Sequence, residues 1–595
     1  MSRAPRSRLL RLAALLASAT IVVAACGAAT TSPSAPGAAS APPAGESVAP
    51  ASADPNFAGA TYPEDGEAPC GVAPYTGNLK KITATDQNTV VFDLCGPDVA
   101  FLSKIAFSSF QINDTAWLES HIDPAGTGEQ AIVSQPNGTG PYRLSNWARG
   151  SEIVMEKNPD YWGENVGANT LIFRWSTEGN QRVTELQAGT VDGIDNVPPE
   201  SFATIQGDST FQLKEREGLN VLYLGFNNNP KNEGFDNAQN PFANEQVRQA
   251  VAMGINREQI LNEFYPPGSE LATHFTPCSI ANGCTGDAWY DFDATAAKAL
   301  LAEAGYPDGF ATKLSYRPAV RSYLPDPPAV AQALQAQLKA NLNIDVTLDP
   351  QDDTTYIDTA DAGLLDGMHL LGWGADYPDM TNFVDYHFGA GASDQFGDKF
   401  PDITAALQAG AAGANDAERE PHYVEANNAI RTHVPMVPIV HGGSGVAYKA
   451  DVTGAHASPL SNEIFSVMTP ADRDQFVWMQ NGEPGGIYCA DESDGEALRV
   501  CEQLNESLYA YEVGGTAAEP SLAEVCESNA ELTQWTCTLR QGVTYHDGAT
   551  FDANDVVLSY AVQWDNNHPL HKGRDGSFTY FPALFGGLLN PPPAE

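Results

Sequence analysis

Apolar and polar positions alternate with two different periods along this chain, and the switches between the periods mark its elements. In NTVVFDL, residues 88–94, apolar side chains recur at every second position, which predicts a strand with one buried face. GTGPYRLSNW (138–147) reads as a Gly/Pro-punctuated turn that enters another strand. After IVMEKNPDYWGE (153–164), NTLIFRW (169–175) is a further strand, and RVTELQAGTVDGID (182–195) continues as a helix closing at Gly189. Residues 241–261 place Val247, Ala250, Val251 and Ile255 on one helical face behind an Asn244 cap. A helix over 293–310 opens at Asp293 and stops at Gly305, with Pro307 beyond; 329–350 pass from helix to strand. Helix and strand alternate throughout, the pattern of an α/β protein.

The same reading applies close to the end of the sequence. In WTCTLRQGVTYHDGATFDANDVVLSY (535–560), Thr536, Thr538 and Val543 to Tyr545 are β-formers around a turn, and Asp547-Gly548 supplies a second turn. Asp552 or Asn554 then caps a helix whose Val556, Val557 and Tyr560 share a face. Between these regions, Met368 to Leu371 predict a strand running into GWGADYPD (372–379), where Trp373, Asp376, Tyr377 and Asp379 stand in a Gly-loosened loop.

Size and charge narrow the choice of class. At 595 residues the chain exceeds what one core fills, so two or more lobes are expected. The formal net charge of −44 repels phosphate backbones and excludes nucleic acid as a partner. The acids are dispersed rather than in blocks, as on a solvated exported surface. Arg3, Arg6, Arg8 and Arg11 precede an apolar run, Leu12 to Val23, that is shorter than the roughly 20 residues of a membrane span and so reads as an export signal. It ends in VAAC, which resembles a bacterial lipobox and implies diacylation of Cys26. Residues 28–60, rich in Ala, Ser, Pro and Gly, have the composition of a tether.

Eight further cysteines remain. In an exported chain an even number favours disulfides, and closure of the shortest loops pairs Cys70 with Cys95, Cys278 with Cys284, Cys489 with Cys501, and Cys526 with Cys537. None shows the spacing of a zinc site, and the His568/His571 pair lacks a third ligand nearby. HGGSG (441–445) has no G-x-S-x-G nucleophile to accompany it, so the reading is of a binding protein without cofactor or metal, not an enzyme.

The blocks GTGPYRLSNW, NPDYWG, RVTELQAGTVD and LRQGVTYHDGATFDANDVVLS resemble, one by one, those of the family 5 extracellular solute-binding proteins, the peptide and nickel receptors of ABC importers. In that family the last of these blocks lies near the mature N-terminus. Here DQFVWMQNGEPGG (474–486), LNESLYAYE (504–512) and 535–560 follow the part that normally ends the chain, and no block occurs twice. The resemblance therefore implies a two-lobed, type II periplasmic-binding-protein-like fold with a hinge, circularly permuted; joined native termini make such a rotation tolerable. It implies a signal peptide at 1–26, a tether at 27–69, lobe I from 70–240 and 431–595, and lobe II from 241–430, with hinges near 240 and 430.

What the resemblance implies for function is capture of a small solute, most simply a short peptide, by lobe closure, and its delivery to an ABC permease. The protein would be a monomer at the extracellular face of the cell membrane, held there by lipid alone. Carried onto this sequence, the ammonium-binding carboxylate of peptide receptors falls on Asp376, with Trp373 and Tyr377 as walls. Gln480 and Asn481, in FVWMQNGEP (476–484), would bind the peptide backbone, and Glu506 and Tyr509, in a helix over LNESLY, are further candidates. A nickel or metal-chelate receptor, a chemosensory receptor and an extracellular hydrolase remain the alternatives.

Overall fold

The computed structural model describes residues 57–126, 130–164, 166–318, 320–351 and 355–591. The export segment, Cys26 and most of the expected tether lie outside them. The described residues before 70 are nonetheless part of the fold. Thr61–Tyr62 pairs with Leu79–Asp86, the Ala60 amide donates to Asn554 Oδ1 (2.7 Å), and Ala68 is buried. Residues from 57 onward thus belong to lobe I and not to the tether.

Lobe I carries two sheets. The five-stranded one runs Thr61–Tyr62, Leu79–Asp86, Thr89–Leu94, Gln534–Leu539, Ala523–Ser528. Its centre joins distant parts of the sequence, with Phe92 opposite Trp535 and Val90 opposite Cys537. The seven-stranded sheet is ordered Tyr142–Ala148, Glu152–Lys157, Thr170–Trp175, Gln475–Gln480, Gly193–Ile194, Ser444–Lys449, Phe211–Arg216. Gln475–Gln480 lies in the middle, parallel to both its neighbours and buried from Phe476 to Gln480, which explains its unbroken apolar run. One core spans both sheets: Phe101 stacks on Trp535 (5.1 Å), and Trp478 packs on Tyr448 (5.5 Å) and Phe465 (5.1 Å). Residues 475–590 are therefore woven into lobe I rather than set apart. Near the end of the described chain, Phe585 O accepts from the Asn78 amide (2.6 Å) and Gly586 O from Thr76 Oγ1 (2.7 Å).

Lobe II is a six-stranded sheet ordered Glu270–Leu271, Met436–His441, Asn220–Phe226, Met368–Gly374, Ala311–Tyr316, Asp345–Pro350, flanked by helices that include Glu245–Gly254, Ala294–Glu303, Pro327–Leu342 and Asp416–His433. Asn244, Asp293 and Asp552 cap the helices expected behind them, and Gly189 takes the left-handed conformation after Ala188.

The lobe crossings do not lie near 240 and 430. Asn220–Phe226 is buried at every position and forms the middle of the lobe II sheet, so the chain crosses at 217–219 and returns at 442–443. There the two connections touch. A Cβ on Gly218 would come within 2.4 Å of Gly442 O, so glycine allows the crossing strands to meet. Asn220 fastens them, its Nδ2 donating to Gly442 O and its Oδ1 accepting from the Gly442 amide, both at 2.7 Å.

All four disulfides form in the expected pairing, with Cα separations of 5.5 Å (Cys70–Cys95), 4.9 Å (Cys278–Cys284), 5.9 Å (Cys489–Cys501) and 4.0 Å (Cys526–Cys537). The expected helix over LNESLY is displaced. The helix is Gly495–Leu504, Asn505 turns extended, and Tyr509–Tyr511 is a strand paired with Ala518–Pro520.

Candidate functional site

Gly374, the last residue of Met368–Gly374, pairs with Asn220, the first strand residue after the crossing, so the loop that follows emerges at the hinge. The Ala375 amide donates to Leu219 O (2.8 Å) and fixes the exit. Asn382 then orders the motif. Its Oδ1 accepts from Trp373 Nε1 (3.1 Å) and from the Asp376 amide (3.0 Å), while its Nδ2 donates to Asp376 Oδ2 (2.9 Å). Trp373 lies on Tyr386 at 4.1 Å, a rigid aromatic pair beside the carboxylate.

The two acids of GWGADYPD have different fates. Asp379 takes both Arg419 Nη groups at 2.7 Å and Thr381 Oγ1 at 2.7 Å. Burial alone would raise its pKa, but Arg419 holds it below the usual carboxylate range. Asp376 has no ion pair among the described residues; burial pushes its carboxyl up to about 6, with the Asn382 hydrogen bond opposing. A nearby third acid, Asp385, is pushed to about 8 by burial and by Asp379, against the pull of Arg419 and Lys104.

Lobe I faces this loop with aromatic and cationic groups. The hydroxyls of Tyr511 and Tyr580 are both held in their neutral form, first by burial, then by the charges of Glu502 and Asp376 at Tyr511 and of Asp376 and Asp494 at Tyr580. Tyr580 packs on Phe107 (4.7 Å), and Tyr511 Oη donates to Ser103 O (2.7 Å). Lys104, ion-paired with Asp98 at 2.7 Å, lies 5.5 Å from the Tyr377 ring centre. At the hinge a cavity of about 80 Å³ opens between Arg216, Asn220, Ser322, Gly442, Ser444 and Ser461.

Behind Arg216 stands a buried quartet of charges. Arg216 reaches Asp195 (2.9 Å) and Glu463 (2.6 Å), and Arg499 reaches the same two acids (2.9 and 3.0 Å). None of the four is more than 4% exposed. Arg216 Nη1 also contacts Ser444 Oγ (3.2 Å), so the quartet holds both connections at their lobe I ends.

The sequence-derived site residues divide accordingly. Asp376 and Trp373 stand together, joined by Asn382, in the loop that leaves the strand end at the lobe crossing. Tyr377 is buried and packs with the lobe I core, so it is an interlobe contact and not an open wall. Gln480 is fully buried, its Nε2 donating to Gly482 O (3.0 Å) and Glu496 O (3.3 Å); the neighbouring Asn481 Oδ1 is buried without a hydrogen-bond partner among the described residues. Glu506 accepts from Thr139 Oγ1 (2.8 Å), Tyr161 Oη (2.9 Å) and Trp162 Nε1 (2.8 Å), and Tyr509 Oη accepts from the Cys526 amide (3.0 Å). These last two residues brace lobe I from within. Tyr511, Tyr580 and Lys104 were missed, although a lysine inside the apolar FLSKIAF was a visible signal. His441 is buried, its Nδ1 bonded to Asn220 O, and among the described residues no group of three His, Cys, Asp or Glu is arranged to hold a metal ion. No helix among them is long and apolar enough to cross a membrane.

Comparison with known proteins gives the family and the fold. Heme-binding protein A of Haemophilus influenzae is 27% identical over 65% of this chain and 69% of its own length. A Dipeptide-binding protein of Pseudomonas aeruginosa is 28% identical over 65% of this chain and 71% of its own. Among solved structures, HbpA2 from Haemophilus parasuis superposes with a TM-score of 0.57 at 24% identity, covering 66% of this chain and 76% of that one, which gives the fold as the two-lobed type II periplasmic-binding form. The family model described as bacterial extracellular solute-binding proteins, family 5, matches residues 40–395 and 517–577. With more than half of its length matched, in two stretches that share the lobe I core, the chain belongs to the bacterial extracellular solute-binding proteins, family 5.

Proposed function

We propose that this protein captures a short peptide between its lobes, with the peptide's α-ammonium on Asp376, and hands it to an ABC permease. The observation that carries the reading is a carboxylate held in place by Asn382, with no ion pair among the described residues, in a loop whose next residue, Tyr377, packs into the lobe I core. An unpaired buried carboxylate is costly, and a ligand cation relieves that cost only when bound. The peptide-binding names among the relatives support the ligand class. Closure around the clasped glycines at 218 and 442 supplies the hinge, and ligand contacts made only in the closed form bias it.

The raised pKa gives a test. In the unliganded protein Asp376 gains its proton as pH falls through about 6, whereas a bound ammonium favours the ionised form. Binding below that pH must expel the proton, so affinity drops with acidification. By calorimetry with a dipeptide and tripeptide pool, Kd at pH 5 should be roughly tenfold weaker than at pH 7.5. A Kd unchanged across that range would remove the ammonium from Asp376. Native mass spectrometry of the purified protein identifies the ligand itself.

The cross-pairing of Thr89–Leu94 with Gln534–Leu539 and the contacts of 585–586 with 76–78 support the circularly permuted order. VAAC and the tether composition support a lipid anchor at Cys26 on an exported receptor. Cys26→Ala should abolish incorporation of radiolabelled palmitate and release the protein from the membrane fraction; undiminished labelling would place the anchor elsewhere.

A further inference from the structure

An open cavity of about 690 Å³ lies wholly on lobe I and shares no residue with the hinge cavity or the Asp376 loop. Its walls include two tryptophans whose rings are fixed. Trp117 donates through Nε1 to Gln135 O (3.2 Å) and lies on the His121 ring at 3.6 Å. Trp147 donates to Glu483 Oε1 (3.2 Å), and the Arg149 guanidinium covers its ring at 3.5 Å. Both indoles remain partly exposed. Around them Ser134, Gln135, Ser145 and Asn146 bring hydroxyl and amide groups. Ser145 and Asn146 are exposed on Tyr142–Ala148, the strand at the edge of the seven-stranded sheet.

The charge of the lining is the second observation. The chain has 75 acids, yet among the described residues no aspartate or glutamate lines this cavity; Glu483 and Glu156 reach it only as acceptors for Trp147 Nε1 and Ser145 Oγ, each at 3.2 Å. Its one cation, Arg149, is engaged with the Trp147 ring and with the carbonyls of Pro484 (3.3 Å) and Gly485 (3.1 Å). Nothing in the lining selects an ion, and the polar rim disfavours a purely apolar guest. Rigid aromatic plates lose little entropy when covered, and neighbouring amides and hydroxyls both donate and accept. That combination suits a molecule with apolar ring faces and a rim of uncharged hydroxyls.

We propose that this cavity is a second binding site, for a neutral oligosaccharide, with sugar rings against the parts of the Trp117 and Trp147 indoles that His121 and Arg149 leave exposed and their hydroxyls bonded to Gln135, Ser145 and Asn146. The site is independent of the interlobe cleft. Calorimetry of the full-length protein against chitotetraose, cellotetraose and maltotetraose tests it. At least one should bind saturably, with about tenfold or greater loss in Trp117→Ala and in Trp147→Ala. Asn146→Arg, at an exposed position, should block binding with the melting temperature unchanged, which keeps the test valid if an indole variant fails to fold. Asp376→Asn should leave saccharide affinity as it is. The proposal is overturned if none of the three sugars binds, if binding survives Asn146→Arg, or if Asp376→Asn abolishes it. It is equally overturned if an extended peptide alone occupies the cavity, since the edge strand would then be a strand-addition site.

Discussion

Asp376→Asn is expected to weaken peptide binding by on the order of 2–5 kcal/mol while leaving the fold intact. The ammonium of a peptide loses hydration when the lobes close and needs a charged partner; an asparagine offers a carbonyl oxygen but no charge. Stability should not fall. A carboxyl whose pKa is raised by burial destabilises the folded state when ionised, so at pH 7 its removal relieves a cost rather than creating one. The Asn382 amide can still donate to the new side-chain oxygen, so the loop geometry that holds Trp373 survives. Calorimetry with the ligand found by native mass spectrometry, together with a urea melt, reads both halves. Equal affinity in mutant and wild type would move the ammonium site away from Asp376, and a large loss of stability would make Asp376 a structural residue.

Arg499→Met should have the largest effect on stability, a loss of about 3–5 kcal/mol, because it leaves Asp195 and Glu463 buried with one guanidinium between them. The acid limb should move with it. Burial would raise the Asp195 pKa, but Arg499 and Arg216 outweigh it and bring the group down to about 2; Glu463 is lowered by the same pair. A carboxylate with a depressed folded-state pKa stabilises the fold above its unfolded value, near 4, and loses that contribution as pH falls toward 2. With Arg499 gone the two pKa values rise, and acid unfolding begins at higher pH. Urea denaturation at pH 7 and pH 4 measures both. A loss below about 1 kcal/mol would show that water or a rearranged Arg216 replaces the missing guanidinium. Since Arg216 bridges to Ser444, the same variant should also loosen the hinge connections.

Asn220, at the other side of that hinge, shows how far sequence could go and where it stopped. The period-two run of 88–94, the caps at Asn244 and Asp293 and the Gly189 stop are short-range signals, fixed by backbone hydrogen bonding within a few residues, and the elements formed as read. Disulfide pairing was legible for a related reason, since each partner closes a short loop. The Trp373–Asp376 loop was visible because motif and strand end coincide in nine residues. The sequence by itself thus determined the α/β class, the disulfides and the family, and it located the Trp373–Asp376 loop at a strand end.

Only the tertiary structure decided the rest. Asn220–Phe226 is as apolar as any buried strand, and nothing local says which lobe's sheet it enters; pairing with Met368–Gly374 and Met436–His441 assigns it and thereby sets the hinge at 217–219 and 442–443. Glu506 looked like a cleft acid until Thr139, Tyr161 and Trp162 converged on it from elsewhere in the chain. The quartet of Asp195, Arg216, Glu463 and Arg499 comes from four separate segments, and each residue alone reads as a surface charge. Whether a charge faces water, a ligand or an opposite charge is a long-range property, because Coulomb energy and desolvation depend on what the fold brings within a few ångströms.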